Sequence, residues 1–181
     1  KLSFYPSFGS ADENVQKFIL PVFNTINILE MSGQNYGKFF KSDTLVSEFT
    51  VPENLENPVL LYTSTGHGGW GSGDEFVPKM NKIFIDDKEI YSFIPWRYDC
   101  ATYRFSNPAS GNFSNGLSSS DLSRSNWCPG TLTQPEYIPL SNLTPGKHVI
   151  KVVIAQGEDE GSSFSHWSVF GCIVGEETTV K

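Results

Sequence analysis

Short runs of Val, Ile, Phe, Tyr and Thr recur along this chain between clusters of Gly, Pro, Asn and Asp, a spacing typical of β-strands separated by turns. Apolar residues at helical spacing are almost absent, so the pattern favours an all-β fold with little helix. A chain of 181 residues suits a single domain, and the number of runs suits a two-sheet sandwich. The predicted strands are Lys17 to Leu29 (interrupted at Pro21), Leu45 to Val51, Val59 to Thr65, Asn81 to Ile85, Glu89 to Ile94, Val149 to Gln156 and His166 to Val174.

Two sequence signals predict turns between these strands. Asp86-Asp87-Lys88 lies between two predicted strands and predicts a tight hairpin. Leu143-Thr144-Pro145-Gly146 predicts a turn ahead of the alternating segment His148 to Ile154. Residues 98–134 carry little strand signal, and a segment of that length in a compact domain is usually a functional loop. Residues 1–10 show no alternation, so we expect them to be a linker or the tail of a missing preceding domain, with the main domain spanning residues 11–181.

The composition argues against two classes of partner. The formal net charge is −7, and no local cluster of Lys or Arg offsets it. Such a chain repels phosphate groups, so we expect neither nucleic acid nor an anionic membrane surface as a partner. No apolar run approaches the roughly 20 residues of a membrane span. Neutral or cationic ligands suit this charge better.

The chain has three cysteines, and their use helps to predict the cellular compartment of the protein. No pair has the CxxC spacing of a zinc or redox site. Cys100 and Cys128 flank a segment rich in Ser, Asn and Gly, where a disulfide would stabilise the fold by about 3 kcal/mol. We predict that bridge and, with it, an extracytoplasmic location: secreted, periplasmic or surface-attached. Cys172 lies in an apolar run and is predicted to be a buried small hydrophobe rather than a reactive thiol.

The segment Thr65 to Phe76, called the glycine segment below, contains five glycines around one histidine, one tryptophan and two carboxylates. Glycine at this density permits unusual backbone torsions and close approach of a ligand to the main chain. A phosphate loop needs a helix start and usually a lysine, whereas an acidic pair and a strand follow here. The segment therefore suits a binding site for another kind of ligand. The alternative is a flexible connection in which Asp74 and Glu75 are solvated.

A second segment, Arg124 to Gly130, lies at the end of the long loop and is called the arginine segment below. If the predicted disulfide forms, Arg124 and Trp127 are held beside it. An arginine donates to a carbonyl or carboxylate through a planar fork, and an indole face stacks on a sugar ring, so both suit a polar substrate. The alternative is that Arg124 pairs with Asp99 or Asp121 and that Trp127 caps the sandwich.

Together these segments resemble the second domain of peptide-N-glycosidase F, an amidase that removes asparagine-linked glycans, and of its bacterial relatives. The resemblance extends over nearly the whole chain, and a Trp-Cys-Pro-Gly tetrad preceded by an arginine is a rare combination. The matching residues are Tyr36-Gly37, Gly69-Trp70-Gly71, Glu75, Ile83-Phe84-Ile85, Cys100, Arg124 and Trp127-Cys128-Pro129-Gly130.

The resemblance implies an antiparallel jelly roll of about eight strands, normally the second of two such sandwiches packed side by side. It implies an N-linked glycoprotein or glycopeptide as substrate, bound where the two domains meet, and no cofactor or metal. The principal carboxylate of the family lies on the first domain, which this sequence does not match. Glu75 and Arg124 match the assisting carboxylate and the arginine near the scissile amide. The residues expected to contact substrate are Trp70, Trp127, Phe76, His67 and Asp74.

The chain also departs from the family pattern. Where the family has cysteines two residues before and two after the glutamate, this chain has Gly73 and Val77, so the small ring that holds the acidic loop is missing. Phe76 replaces a tryptophan and Asn81 replaces a histidine, and the loop ahead of Glu75 is shorter. These differences bear on glycan specificity more than on the fold.

Two other functions fit parts of the pattern. A non-catalytic glycan-binding module would use the four tryptophans as stacking platforms and the carboxylates as acceptors for sugar hydroxyls. A metal site would draw on His67, Asp74, Glu75 and one of His148 or His166. Scattered histidines and the lack of a convincing methionine ligand make that second alternative the weaker fit.

Overall fold

A computed structural model describes residues 15–25, 44–68, 73–107, 111–112, 114, 116, 118–158 and 165–178. Strands dominate this part of the chain, together with two short 3₁₀ helices, Cys100–Ser106 and Ser119–Asp121. None of the helices in the described ranges is long and apolar enough to cross a membrane. The strands are β1 (Val15–Asn24), β2 (Thr44–Val51), β3 (Leu55–His67), β4 (Asn81–Ile85), β5 (Lys88–Phe93), β6 (Glu136–Pro139), β7 (Gly146–Ile154) and β8 (His166–Thr178).

The strands form two antiparallel sheets of four. One sheet has the order β1-β8-β3-β6 and the other has the order β2-β7-β4-β5. The pairs β1–β8, β2–β7, β3–β6 and β4–β5 lie side by side, so that the chain is nested around its central hairpin. This nesting is the arrangement of a jelly roll. The predicted two-sheet antiparallel jelly-roll sandwich with little helix is therefore confirmed.

The core lies between the two sheets. Every second residue of β7 from His148 to Ile154 is buried, as the alternating sequence predicts for a strand with one face inward. Tyr62 and Trp167 from one sheet and Ile83 from the other belong to this core, each at most 1% exposed. Burial of each such side chain contributes roughly 1.5–3 kcal/mol, so the sandwich is a firm support for the connections at its two ends.

Strand boundaries differ from the predicted ones mainly at their ends. β3 and β8 each run for 13 residues, several residues beyond the predicted segments. The predicted interruption at Pro21 corresponds to a register shift between Pro21 and Phe23 in β1, an edge strand, where proline is best tolerated. Strand β6 was not predicted, because four residues ending in Pro139 show no alternation. The predicted continuation of the first strand over residues 26–29, and the expected linker at 1–10, lie outside the described residues.

The predicted hairpin between β4 and β5 is confirmed. Asp86 and Asp87 have φ of 49° and 65°, and left-handed torsions at both central positions define a type I′ turn. The hairpin tip lies at the end of the sandwich where β7 begins, because Ile85 pairs with Ile150; we call this the far end. At the opposite end β3 finishes and β8 begins, with His67 opposite His166, and we call this the site end.

The predicted disulfide between Cys100 and Cys128 is present, with 5.0 Å between the two Cα atoms and a sequence separation of 28 residues. It joins the start of the first 3₁₀ helix to the arginine segment, so part of the long segment without strand signal is ordered. Cys172 is buried as predicted, and burial raises the pKa of its thiol.

Candidate functional site

The glycine and arginine segments interlock through their backbones at the site end. The N–H of Gly66 donates to the carbonyl of Ser125 at 3.1 Å, and the N–H of Ser125 donates to the carbonyl of Glu75 at 3.0 Å. The N–H of Glu75 in turn donates to the carbonyl of Gly68 at 3.1 Å. The structure therefore brings together the two segments that the sequence singled out.

Two residues explain why the segments approach so closely. A Cβ atom at Gly66 would lie 2.2 Å from the carbonyl oxygen of Asp74 and 2.7 Å from Cβ of Ser125, so only glycine fits at this position. Asn126 has a φ of 66°, a left-handed torsion that Asn tolerates, and its amide donates to the carbonyl of Ser64 at 2.9 Å. The arginine segment is thus folded tightly onto the end of β3.

Glu75 and Arg124 form an ion pair at the centre of this contact. Arg124 Nη1 lies 2.5 Å from Glu75 Oε1, and the side chains are 2% and 18% exposed, respectively. Nη2 of the arginine donates to the carbonyl of Ser119 and, at 2.6 Å, to its hydroxyl. Burial lowers the pKa of Arg124 below its ordinary value while the charge of Glu75 acts in the opposite direction. A buried guanidinium needs these partners, because an unpaired charge away from water is costly.

Aromatic rings contact the same guanidinium. Its Cζ lies 4.5 Å from the ring centroid of Trp127 and 5.1 Å from that of Phe76, within the range of cation–π contacts. The indole N–H of Trp127 donates to the carbonyl of Gly66 at 3.0 Å, which fixes the indole to the end of β3. The adjacent Cys128 carries the disulfide, so Trp127 is restrained both covalently and by this hydrogen bond.

His67 lies beside Trp127 rather than beside the carboxylate. Its ring stacks on Trp127 with 5.3 Å between centroids and on His166 with 5.0 Å, and its Nε2 is 2.8 Å from the hydroxyl of Thr65. Burial, followed by the neighbouring His166 and Arg124, lowers the pKa of His67 to about 3. The ring is therefore neutral near physiological pH.

Asp74 has a different position from the one expected of a substrate contact. Its side chain is completely enclosed, and its Oδ1 accepts from the N–H of Gly157 at 2.8 Å, with the ammonium of Lys79 at 4.0 Å. A carboxylate with no exposed surface cannot meet a ligand without rearrangement of its surroundings. In this geometry Asp74 ties the glycine segment to the connection that follows β7.

The alternative partners proposed for Arg124 are occupied by other arginines. Asp99 pairs with Arg97 at 2.7 Å, and Asp121 pairs with Arg104. The predicted substrate contact Trp70 lies in the stretch 69–72, outside the described residues. Among the residues that are described, no group of three or more His, Cys, Asp and Glu side chains could hold a metal ion.

The departures from the family pattern have local explanations. Ser125 donates through its backbone N–H to the carbonyl of Glu75 and through its hydroxyl to the carbonyl of Val77 at 3.5 Å, so hydrogen bonds hold the acidic loop at the glutamate and two residues after it. Asn81 is fully buried and accepts from the hydroxyl of Tyr62 at 2.9 Å, which makes it a core residue. Ser119 and Ser125 were not predicted, because single serines in a Ser-rich stretch carry no distinguishing signal.

Comparisons with known proteins agree with this architecture. The family model for the C-terminal domain of peptide-N-glycosidase F matches residues 35–174. The solved structure of PNGF-II superposes with a TM-score of 0.81 at 57% identity, over 91% of this chain and 30% of that one. PNGase F from Flavobacterium meningosepticum superposes with a TM-score of 0.64 at 16% identity, over 91% of this chain and 53% of that one. No curated protein matches the chain.

These matches differ in what they show. The likeness to PNGase F, at 16% identity, shows the fold. The chain spans only 30% of the length of PNGF-II, so it corresponds to one part of a longer relative. Because the family model covers residues 35–174 and PNGF-II is 57% identical over 91% of the sequence, the chain belongs to the family of peptide-N-glycosidase F C-terminal domains.

Proposed function

We propose that this chain is the glycan-handling domain of a peptide-N-glycosidase F-like amidase, which hydrolyses the amide between asparagine and the first N-acetylglucosamine of N-glycoproteins. It supplies one half of the active site, and the principal catalytic carboxylate belongs to a first jelly-roll domain that pairs with it. The observation that carries the proposal is the Glu75–Arg124 ion pair, 2.5 Å long, at the end of a domain of this family.

Hydrolysis of an amide requires an activated water, stabilisation of charge on the carbonyl oxygen and a proton for the departing amine. In the proposed mechanism Glu75 orients or deprotonates the water. Its side chain is 18% exposed, so it is the part of the ion pair that solvent and ligand can reach. Phe76 and Trp127, both partly exposed beside the ion pair, supply the aromatic contacts to a sugar ring.

Arg124 serves the reaction mainly through Glu75 in this proposal. Its side chain is 2% exposed, and its two terminal nitrogens are engaged with Glu75 and Ser119. The buried Nε–H has no acceptor among the described residues, so it is the group with which Arg124 would stabilise negative charge on the substrate carbonyl.

A two-domain context and an extracytoplasmic location belong to the same proposal. The chain covers 30% of PNGF-II and 53% of PNGase F, as expected of one domain of a longer enzyme. The disulfide between Cys100 and Cys128 suits an oxidising compartment, which is also where N-glycoprotein substrates of such an enzyme are exposed.

The test is the substitution Glu75→Gln in a two-domain protein that carries this chain as its second domain. Turnover of an N-glycopeptide should fall by about a hundredfold, the usual scale for an acid–base group. Glu89→Gln is the matched control, since this exposed glutamate lies on the far-end hairpin and should leave turnover unchanged. Unchanged turnover in Glu75→Gln would remove this residue from the mechanism. Binding of the glycopeptide with no hydrolysis by any form would identify a non-catalytic glycan-binding module instead.

A further inference from the structure

A series of ring contacts connects strand β8 to the charged pair. The rings of His166 and His67 stack with 5.0 Å between centroids and 16° between planes, and His67 stacks on Trp127 at 5.3 Å and 27°. Trp127 in turn contacts the guanidinium of Arg124 at 4.5 Å. We call His166, His67 and Trp127 the ring series. It begins at the first residue of a central strand and ends beside the guanidinium that pairs with Glu75.

The surroundings of His67 favour a supporting role over contact with substrate. Two of its neighbours are rings, and its Nε2 is hydrogen-bonded to Thr65 at 2.8 Å. An imidazolium at this position would stand beside the guanidinium of Arg124 and would be repelled by it. Burial together with the two cationic or ionisable neighbours lowers the pKa of His67 to about 3, so the stacked ring carries no charge.

We propose that His67 is a positioning residue of the Glu75–Arg124 site. Stacked against His166, it fixes the plane of the Trp127 indole, whose N–H is already bound to the carbonyl of Gly66. The indole limits the positions open to the guanidinium, and the guanidinium sets the orientation of the Glu75 carboxylate. This inference deepens the proposed function and rests on it for its catalytic consequence.

The structural part is tested on the chain itself by NMR. In wild type, the guanidinium hydrogens of Arg124 and the indole hydrogen of Trp127 should exchange slowly with solvent because both groups are buried or hydrogen-bonded. His67→Phe keeps an aromatic ring at this position, and the slow exchange should persist. His67→Leu fills similar space without a planar ring, and His67→Ala empties it; in both, exchange of these hydrogens should accelerate about tenfold or more.

Two measurements separate positioning from simple stabilisation. Backbone amides in the core, at Ile150 and Ile173, should keep their protection in His67→Leu, and His148→Leu at the far end should leave the Arg124 and Trp127 signals unchanged. Wild-type exchange rates in His67→Leu would overturn the proposal. Equal acceleration at the core amides would also overturn it, because the effect would then be a general loss of stability. If His67→Ala does not fold, the exchange rates of Arg124 and Trp127 in His67→Leu test the proposal on their own.

The catalytic part is tested in the two-domain protein described above. His67→Leu should lower kcat by about tenfold or more with a smaller change in KM, because a misplaced catalytic group affects the transition state more than binding. His67→Phe should recover most of kcat. A change confined to KM would mean that His67 contacts the glycan. If Glu75→Gln leaves turnover unchanged, the proposed function fails while the NMR result still decides whether His67 positions Arg124.

Discussion

Each end of this sandwich contains an ion pair in which an arginine or histidine meets a carboxylate distant in sequence, and these two pairs are built differently. At the site end Arg124 and Glu75 are 2.5 Å apart, with side chains 2% and 18% exposed. At the far end His148 and Asp86 are 2.6 Å apart, with side chains 9% and 51% exposed. The first pair has little water at either member, whereas the second places its carboxylate largely in solvent.

Their surroundings differ in the same way. The guanidinium of Arg124 contacts the rings of Phe76 and Trp127 and is also bound to Ser119. His148 has one ring neighbour, Phe49, among the described residues, and its Nε2 lies 2.7 Å from the carbonyl of Thr144. The far-end pair closes a hairpin and a turn, a task that tolerates solvent. A buried pair is a costly way to join two loops, because desolvation offsets much of the attraction. Its presence at the site end fits the proposed role of Glu75, which needs a fixed, partly dehydrated carboxylate.

The largest difference between the two ends is expected when the buried guanidinium of Arg124 is removed. Arg124→Met leaves Glu75 partly buried beside aromatic rings without its counter-charge, and we expect a loss of about 3 kcal/mol in the free energy of unfolding. Denaturant titration of the isolated chain measures it. The control Arg104→Met removes the exposed partner of Asp121 and should leave the free energy of unfolding nearly unchanged. Similar losses in the two variants would mean that burial does not distinguish the site-end pair.

The far end was the easier of the two to predict from sequence. Consecutive aspartates between alternating strands carry a local turn signal, and the type I′ hairpin forms at the residues that carry it. The same holds for β7, whose alternation is visible directly in the sequence. Strand β6 escaped prediction because its pairing with β3 depends on the partner strand rather than on its own four residues.

The site end depended on residues far apart in sequence. Glu75 and Arg124 are separated by 49 positions, and no local pattern pairs them. The resemblance to a known family places both residues in one site, and the predicted disulfide holds Trp127 beside the bridge in the same segment as Arg124. Neither could show that Asp74 is enclosed, that His67 is stacked between rings, or that Ser119 binds the guanidinium. Those facts arise from packing between segments, which a single sequence does not encode locally.

A second contrast concerns one glycine at each end. Ala at Gly66 would place its Cβ 2.2 Å from the backbone oxygen of Asp74, an atom that cannot move without shifting the acidic loop. We expect Gly66→Ala to cost about 2 kcal/mol in the free energy of unfolding, measured by denaturant titration. At the far end, the Cβ of Ala at Gly175 would lie 2.7 Å from Cδ1 of Leu55, the tip of a side chain that can rotate, and 2.9 Å from the backbone oxygen of Glu56, a much milder backbone contact than the one at Gly66. Gly175→Ala should therefore lower the free energy of unfolding less than Gly66→Ala does. A larger loss in Gly175→Ala would mean that the site end is not the more tightly packed of the two.

The two ends should also differ in how the free energy of unfolding depends on pH, and we expect this effect to be the smallest. His148 at the far end and His67 at the site end should change it in opposite directions. Although burial alone would lower the pKa of His148, its hydrogen bonds to Asp86 and to the carbonyl of Thr144 outweigh burial and raise it. The folded chain thus keeps a proton that the unfolded chain releases near pH 6.5. Its contribution to stability is complete below about pH 6.5 and is lost as the pH rises through the folded pKa.

His67 has the opposite dependence, because its pKa falls to about 3 in the folded chain. The unfolded chain takes up a proton near pH 6.5 that the folded chain does not bind, so stability is lost as the pH falls below about 6.5. His148→Phe should therefore lose more stability relative to wild type at pH 5.5 than at pH 8. His67→Phe should lose less at pH 5.5 than at pH 8. Denaturant titrations of both variants at the two pH values measure this, and the same sign for both would show that the two histidines do not occupy opposite electrostatic environments.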